Sequence, residues 1–99
     1  MLNIRLDMIE YLEQTGALRV LLRIIDKPRY VTELVRSGIN PDGIASLDAL
    51  KTVRKNLQSL GLIVEELEEG PRPKTFLVIT EKGRRVAEKV NESLAILEE

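Results

Sequence analysis

The chain has 99 residues, and its charged side chains almost cancel to a formal net charge of −1, so any surface that attracts nucleic acid must be local. It contains no Cys and no His, which excludes disulfides, zinc fingers and imidazole catalysis. Hydrophobic residues make up 43% of the chain but aromatic residues only 3%, which argues against a single-strand binder that relies on base stacking.

The length predicts one domain, because no linker or low-complexity tract divides residues 1–99. We expect an N-terminal helix within residues 1–15, a core over residues 16–80 and a C-terminal helix over residues 81–99. Charges occur throughout the N-terminal stretch, and no run of about 20 apolar residues could form a membrane helix. The expectation is a soluble, cytoplasmic protein without a membrane partner.

Residues 2–14 predict a helix whose apolar arc is too wide for one packing contact. Two interpretations stay open at this point. The helix either folds over the core of its own chain or also packs against a second subunit. The second interpretation places Leu2, Leu6 and Ile9 in a dimer interface.

The next helix is expected over residues 17–26, with Thr15 as its N-terminal cap. It is apolar almost all round, which is typical of a central, buried helix. Pro28 ends it, because proline disfavours the helical conformation in the residue before it.

Two short elements and a turn follow. Tyr30 and Val31 indicate a short strand, and Thr32 is expected to cap a brief helix over residues 33–37 that Gly38 ends. Residues 39–45 include Asn-Pro-Asp-Gly, which is strong turn chemistry.

Residues 46–63 are the most informative stretch, because the two faces of the predicted helix differ. One face is an apolar stripe suited to a core, formed by Leu50, Val53, Leu57 and Leu60. The opposite face is polar and partly basic, formed by Asp48, Lys51, Thr52, Lys55 and Ser59, with Arg54 on the flank. Ser46 can cap the start of the helix, and Gly61 can end it in a left-handed conformation.

Two strands and a long helix complete the chain. Residues 62–67 and 75–80 predict the strands, joined by a connection that two prolines stiffen. Thr80 is expected to cap the last helix. That helix carries a coiled-coil-like stripe, formed by Val86, Val90, Leu94 and Leu97. We expect this stripe and the arc of the first helix to hold a homodimer.

This order of elements predicts a mainly α fold with a small β-hairpin (α+β), a winged helix-turn-helix with additional N- and C-terminal helices. Three segments also resemble small winged-helix transcription regulators of archaea and bacteria, of the MarR- or PadR-like type. They are Val31-Thr32-Glu33-Leu34-Val35, Leu57-Gln58-Ser59-Leu60-Gly61-Leu62-Ile63 and Ile79-Thr80-Glu81-Lys82-Gly83. The resemblance covers roughly residues 16–90.

In that family the third helix of the winged-helix core enters the major groove, and the wing contacts the neighbouring backbone or minor groove. Here that helix is the one predicted within residues 46–63. The resemblance therefore implies a sequence-specific regulator that binds double-stranded DNA. The implied DNA-binding residues are Ser46, Lys51, Thr52, Arg54 and Lys55 on the third helix, and Arg72 and Lys74 on the wing. Two features depart from the family pattern. The turn before this helix, residues 38–45, is long. The wing root, residues 65–69, carries four glutamates, Glu65, Glu66, Glu68 and Glu69.

Other functions compete with this interpretation. Lys51 and Lys55 could form only a solvated face, and the acidic wing favours a winged-helix module that binds another protein without binding DNA. An enzyme is not expected, because no nucleophile has a base and no Gly-rich phosphate loop follows a strand. We expect no cofactor and no metal. A cavity between terminal and central helices could hold a small apolar effector, but the sequence identifies none.

Overall fold

The computed structural model describes residues 6–99, and these residues form five helices and a three-stranded sheet. The helices are α1 (Leu6–Glu13), α2 (Ala17–Arg23), α3 (Val31–Leu34), α4 (Leu47–Ser59) and α5 (Glu81–Leu97). The strands are β1 (Arg29–Tyr30), β2 (Ile63–Glu68) and β3 (Lys74–Ile79), in the antiparallel order β1-β3-β2. The predicted winged-helix fold class is confirmed, with β1 as an added strand beside the β2–β3 wing.

One aliphatic core holds these elements together. Its buried side chains come from α2, α3, α4, both wing strands and the first turns of α5, and the largest include Leu21, Leu34, Leu50, Leu57 and Leu77. No polar or charged side chain among the described residues is buried. Burial of apolar area at about 25 cal/mol per Å² is therefore the main force that brings the elements together.

α2 ends at Arg23, whereas the sequence predicted its end at residue 26. The backbone already leaves helical geometry at Ile24, with φ −100° and ψ 5°. Pro28 has no N–H to donate to the carbonyl four residues before it, so the helical ladder cannot continue. Beyond the helix, the carbonyl of Ile25 accepts a hydrogen bond from Arg84 Nη1 at 2.9 Å, which joins this end of α2 to α5.

The predicted Thr15 cap of α2 is wrong. Gly16 occupies the N-cap position with φ +91°, and no side chain caps the helix. The N–H of Ala17 donates to the carbonyl of Gln14 at 2.9 Å, which makes the connection between α1 and α2 a tight turn. Only glycine adopts this left-handed backbone at little cost, so turn geometry decides the helix start here.

The predicted Thr32 cap of α3 is also wrong. The helix starts at Val31, directly after β1, and the N-cap position is Tyr30. The N–H of Tyr30 donates to Glu33 Oε1 at 3.1 Å. Pairing of β1 with β3 fixes where the strand ends, and the helix begins at the next residue.

α3 ends at Leu34, earlier than the predicted end at Gly38. Val35 is already extended, with φ −82° and ψ 125°, and it forms a parallel bridge with Ala45. This pairing satisfies backbone groups that a longer helix would have used, so tertiary contact overrides the local helical pattern.

The junction between the wing and α5 is built on two residues of the segment predicted from sequence. Thr80 Oγ1 accepts a hydrogen bond from the N–H of Gly83 at 2.9 Å and donates to the carbonyl of Gly61 at 2.7 Å. The predicted Thr80 cap is therefore confirmed. A Cβ on Gly83 would lie 2.1 Å from the carbonyl oxygen of Leu62, so only glycine fits between α5 and the start of the wing.

α1 and the distal part of α5 contribute little to the core. No residue of α1 is buried, and in α5 only Gly83 and Ala87 are. The molecule is elongated, with principal extents of 54 × 28 × 23 Å. Among residues 6–99, no helix is both long and apolar enough to cross a membrane.

We expect Gly83→Ala to destabilise the fold by about 1–3 kcal/mol, the range for an added group in a packed site. The new methyl group would force α5 away from the Leu62 carbonyl, which lies 2.1 Å from its position. Urea unfolding measures the change. Gly38→Ala is the matched control, since a Cβ there meets nothing within 4 Å, and it should shift stability by less than about 0.5 kcal/mol. A Gly83→Ala protein as stable as the parent would contradict the close approach.

Candidate nucleic-acid interface

α4 separates a buried face from an exposed one, as its sequence predicts. Leu50, Val53 and Leu57 are fully buried. Lys51 and Lys55 lie one turn apart on the opposite, exposed face. The other exposed residues of that face are Asp48, Thr52 and Ser59. The helix therefore presents two cationic side chains and short polar groups to solvent from a rigid support.

Ser46 sets the start of this helix. Its hydroxyl accepts a hydrogen bond from the N–H of Ala49 at 3.2 Å, so the predicted cap is confirmed. Gly61, with φ +75°, follows the other end of the helix in the predicted left-handed conformation. Leu62 then donates its N–H to the carbonyl of Leu57 at 3.0 Å, a bond typical of this helix ending.

The long turn between α3 and α4 is closed by backbone hydrogen bonds. The carbonyl of Leu34 accepts from the N–H groups of Ile44 and Ala45 at 3.0 and 3.2 Å. The N–H of Arg36 donates to the carbonyl of Ala45 at 2.6 Å. A Cβ on Gly43 would lie 2.2 Å from the carbonyl oxygen of Val35, so the two backbone segments of the turn are in close contact. The turn thus delivers α4 at a fixed position despite its length.

Asn40 fills the interior of the same turn. Its side-chain amide donates to the backbone carbonyls of Thr32, Glu33 and Val35 at 3.3, 3.0 and 3.2 Å. These carbonyls lie at the end of α3, where the helix leaves acceptors without partners. Asn before Pro predicts a turn here, but the sequence does not show that the Asn40 side chain closes it on α3.

Arg54 is paired within the chain. Its Nε and Nη2 atoms donate to the two carboxylate oxygens of Glu65 at 2.6 and 3.0 Å. This hydrogen bond is the main cause that raises the pKa of Arg54. The pair connects the flank of α4 with β2, so the guanidinium predicted to contact phosphate already has an anionic partner.

The wing carries the other predicted cations. Arg72 and Lys74 are exposed at and beside the connection between β2 and β3. Lys74 Nζ lies 5.3 Å from the centre of the Tyr30 ring, a cation–π distance. Tyr30 also packs edge-to-face on Phe76, with ring centres 6.0 Å apart. The outer part of the wing ladder therefore rests on an aromatic pair.

The glutamates of the wing root fall on both faces of the hairpin. Glu65 pairs with Arg54, and Glu68 accepts a hydrogen bond from the Tyr30 hydroxyl. That bond is the main cause that raises the pKa of Tyr30 above its ordinary value. Glu66 and Glu69 are exposed. Two of the four carboxylates are thus engaged by partners from the body of the domain.

Sequence reasoning missed the Arg54–Glu65 pair, but a signal was present. Side chains of a strand alternate in direction, and in the structure Ile63 is buried in the core. Glu65 must then lie on the same face of β2, towards α4. The flank of α4 carries Arg54, so alternation makes it a candidate partner of Glu65 but does not give the register of β2 against α4.

The structure describes six of the seven residues predicted to form the dimer interface. Leu2 lies outside the described residues. Of the others, Leu6, Ile9, Leu94 and Leu97 are exposed, while Val86 and Val90 are half-buried. Val86 also packs against the core of its own chain.

A cavity of about 140 Å³ lies between α1 and the start of α5. Its lining residues are Met8, Leu12, Leu60, Leu62, Lys82 and Val86. Leu60 and Leu62, which follow α4, close its inner side, so the cavity lies between the two terminal helices rather than within the central ones. Among the described residues, no group of three or more acidic side chains is placed to hold a metal ion.

Comparison with solved structures places the chain among winged-helix proteins. A PadR family transcriptional regulator from Eggerthella lenta DSM 2243 is 26% identical, with a TM-score of 0.66 over 90% of this chain and 80% of that chain. The circadian clock associated protein Pex from Anabaena is 15% identical, with a TM-score of 0.65 over 98% of this chain and 100% of that chain. A transcriptional regulator from Clostridium thermocellum is 21% identical, with a TM-score of 0.59 over 93% and 91%.

The last two similarities show the fold alone. No protein-family model matches the sequence, and the comparison with curated proteins gave no match. The PadR family regulator, at 26% identity, supports more than the fold. The resemblance to PadR-like winged-helix regulators, predicted from the sequence, is therefore confirmed.

Proposed function

From this similarity to PadR-like winged-helix regulators, we propose that the protein is a DNA-binding transcription regulator of the cytoplasm that acts as a homodimer. α4 enters the major groove, and the wing contacts the flanking backbone or minor groove. The observation that carries the proposal is the division of α4 into a fully buried aliphatic face and an exposed face with Lys51 and Lys55. The regulators among the structural neighbours support a role in DNA binding rather than catalysis.

Within the groove, we assign roles to three exposed residues of α4 and to the residue that caps it. Lys51 and Lys55 reach phosphates or guanine edges along the same short segment of duplex. Thr52, between them, contacts a phosphate or a thymine methyl group. Ser46 holds the first turn of the helix, which lies closest to the bases in this mode of binding.

The wing adds affinity that does not depend on sequence. Arg72 lies between Pro71 and Pro73, which restrict the backbone, so less conformational entropy is lost when the side chain contacts phosphate. Lys74 follows directly and lies over the Tyr30 ring.

The competing function is a module that binds another protein, and the acidic wing is the feature that favours it. Glu65 and Glu68 have partners within the chain, which reduces the acidic surface that such a module would offer. DNA binding is therefore the function that the site supports better. No small-molecule effector is proposed.

We expect Lys51→Ala with Lys55→Ala to weaken DNA binding. If both side chains contact phosphates, the slope of log affinity against log salt should flatten by about 0.9 for each, or about 1.8 in all. Fluorescence anisotropy on duplexes across a salt series measures the slope. Thermal stability should change little, because both side chains are exposed.

The matched control for this pair removes the same charge elsewhere. Arg23→Ala with Lys27→Ala acts at the end of α2, which Arg84 joins to α5, and should leave the salt slope near that of the parent. A Lys51/Lys55 variant that binds several duplexes as tightly as the parent would show the groove assignment to be wrong.

We expect Arg72→Ala with Lys74→Ala to reduce affinity for different duplexes by a similar factor, since phosphate contacts carry no sequence information. Competition binding with a preferred and an unrelated duplex compares the two losses. A loss confined to one sequence would instead indicate that the wing reads bases.

The homodimer rests on apolar surface that the single chain leaves uncovered. The exposed fraction reaches 67% for Leu6, 65% for Ile96 and 78% for Leu97. At about 25 cal/mol per Å², shielding a few hundred Å² on each helix would contribute several kcal/mol towards association. A two-fold dimer would set two recognition helices about 34 Å apart, one turn of duplex, so a palindromic site should bind best.

We expect the parent protein to be dimeric at micromolar concentration and Leu94→Ala with Leu97→Ala to raise the monomer fraction. Light scattering coupled to size-exclusion chromatography measures the mass. Glu88→Ala with Glu92→Ala is the control, because these exposed residues lie on the opposite side of α5 and should leave the mass unchanged. A monomeric parent protein would contradict the dimer and the palindromic site together.

A further inference from the structure

The ion pair between Arg54 and Glu65 joins the two elements that the proposed function places on DNA. Arg54 lies on α4, Glu65 lies on β2, and eleven residues separate them along the chain. Two hydrogen bonds of 2.6 and 3.0 Å make the contact bidentate. A planar guanidinium held at two points fixes orientation as well as distance.

The position of the pair along β2 shows which part of the wing the pair attaches to α4. Ile63 faces the core and is 2% exposed, and Glu65 follows on the same face of the strand. Leu67, two residues further on that face, is already 59% exposed. The pair therefore lies where the wing leaves the core, at the outer limit of its attachment to α4.

The other face of the wing is attached separately. Glu68 accepts from the Tyr30 hydroxyl, and Lys74, its partner in the antiparallel register, lies over the Tyr30 ring. The wing is thus held by α4 on one face, where it leaves the core, and by the residue that ends β1 on the other face, next to the connection. Contacts on two faces restrict rotation of the hairpin more than either contact alone.

We infer that Arg54 and Glu65 form a positioning pair that sets the angle between α4 and the wing. With the pair intact, Arg72 and Lys74 reach the duplex while Lys51 and Lys55 lie in the groove. Arg54 then acts on DNA through the wing and makes no phosphate contact of its own, because its charge is matched by Glu65. This inference rests on the proposed DNA-binding function for its effect on affinity, but not for its effect on the wing.

Substitution at each end of the pair tests the inference on DNA. Arg54→Ala and Glu65→Ala should each weaken binding, by about fivefold or more, the range of ordinary coupling between two sites. For Glu65→Ala the direction is opposite to the electrostatic expectation, since loss of an acidic residue near phosphate should tighten binding. Arg54→Glu combined with Glu65→Arg rebuilds the pair in reverse and should recover most of the affinity.

The same substitutions in the Arg72→Ala/Lys74→Ala protein separate positioning from direct contact. A wing without its cations has no contact to lose, so Arg54→Ala should then have little effect. A phosphate contact made by Arg54 itself would still be lost in that background and would flatten the salt slope by about 0.9. A flatter salt slope in that background would overturn the inference. So would tighter DNA binding by Glu65→Ala, or a charge-reversed double variant that binds DNA as weakly as Arg54→Ala.

A measurement without DNA tests the geometry independently. The chain has no cysteine, so Ser59→Cys and Glu69→Cys provide two spin-label sites, on α4 and on the wing connection. Double electron–electron resonance should give a narrow distance distribution for the parent pair and a broader one after Arg54→Ala. Equal distributions would overturn the inference. A broader distribution in a protein that binds no duplex would contradict the proposed function and leave the positioning of the wing supported.

Discussion

The burial of one face of α4 determines which of its side chains are exposed to a partner. Leu50, Val53 and Leu57 are fully buried, and they contact a core formed by side chains from α2, α3 and β3. Because a helix has a fixed angular period, burying this stripe leaves Lys51, Thr52 and Lys55 exposed on the other side. The cap at Ser46 and the left-handed Gly61 fix the two ends of the helix. Core packing and the presentation of the candidate site therefore have the same cause.

Local charge matters more than total charge in this protein. The net charge is −1, so any attraction to phosphate depends on where the cations lie and on which carboxylates are engaged elsewhere. Glu65 and Glu68 have partners in the body of the domain, on opposite faces of the hairpin. The glutamates that would otherwise repel phosphate thus contribute to holding the wing. This arrangement explains how an acidic wing root is compatible with the proposed function.

Features that depend on near neighbours in the chain could be predicted from the sequence. The caps at Ser46 and Thr80 each involve an N–H three residues later, and both predictions are confirmed. Features that depend on the exact geometry of a turn or on tertiary contacts were missed. Thr15 does not cap α2, because Gly16 takes a left-handed conformation, and Thr32 does not cap α3, because β1 pairs with β3 and ends at Tyr30. The order of elements survived these errors, since it follows from the hydrophobic pattern rather than from individual caps.

The candidate site shows the same division. Exposure of the polar face of α4 follows from helical periodicity, so it was predictable residue by residue. The engagement of Arg54 was not anticipated, because its partner lies across a turn on the next strand. Asn40 shows the same limit, since its three carbonyl partners come together only when the turn closes on α3. The DNA-binding roles of Lys51, Thr52 and Lys55 remain predictions.

The central claim is that the exposed face of α4 and the wing together form one surface for duplex DNA. Chemical-shift mapping of the isotopically labelled protein, titrated with a short duplex at low salt, tests this claim most directly. The account predicts that the largest amide shifts fall on Lys51, Thr52 and Lys55, with a second group at Arg72 and Lys74. Shifts centred on α2 or on the distal part of α5, with α4 unchanged, would contradict it.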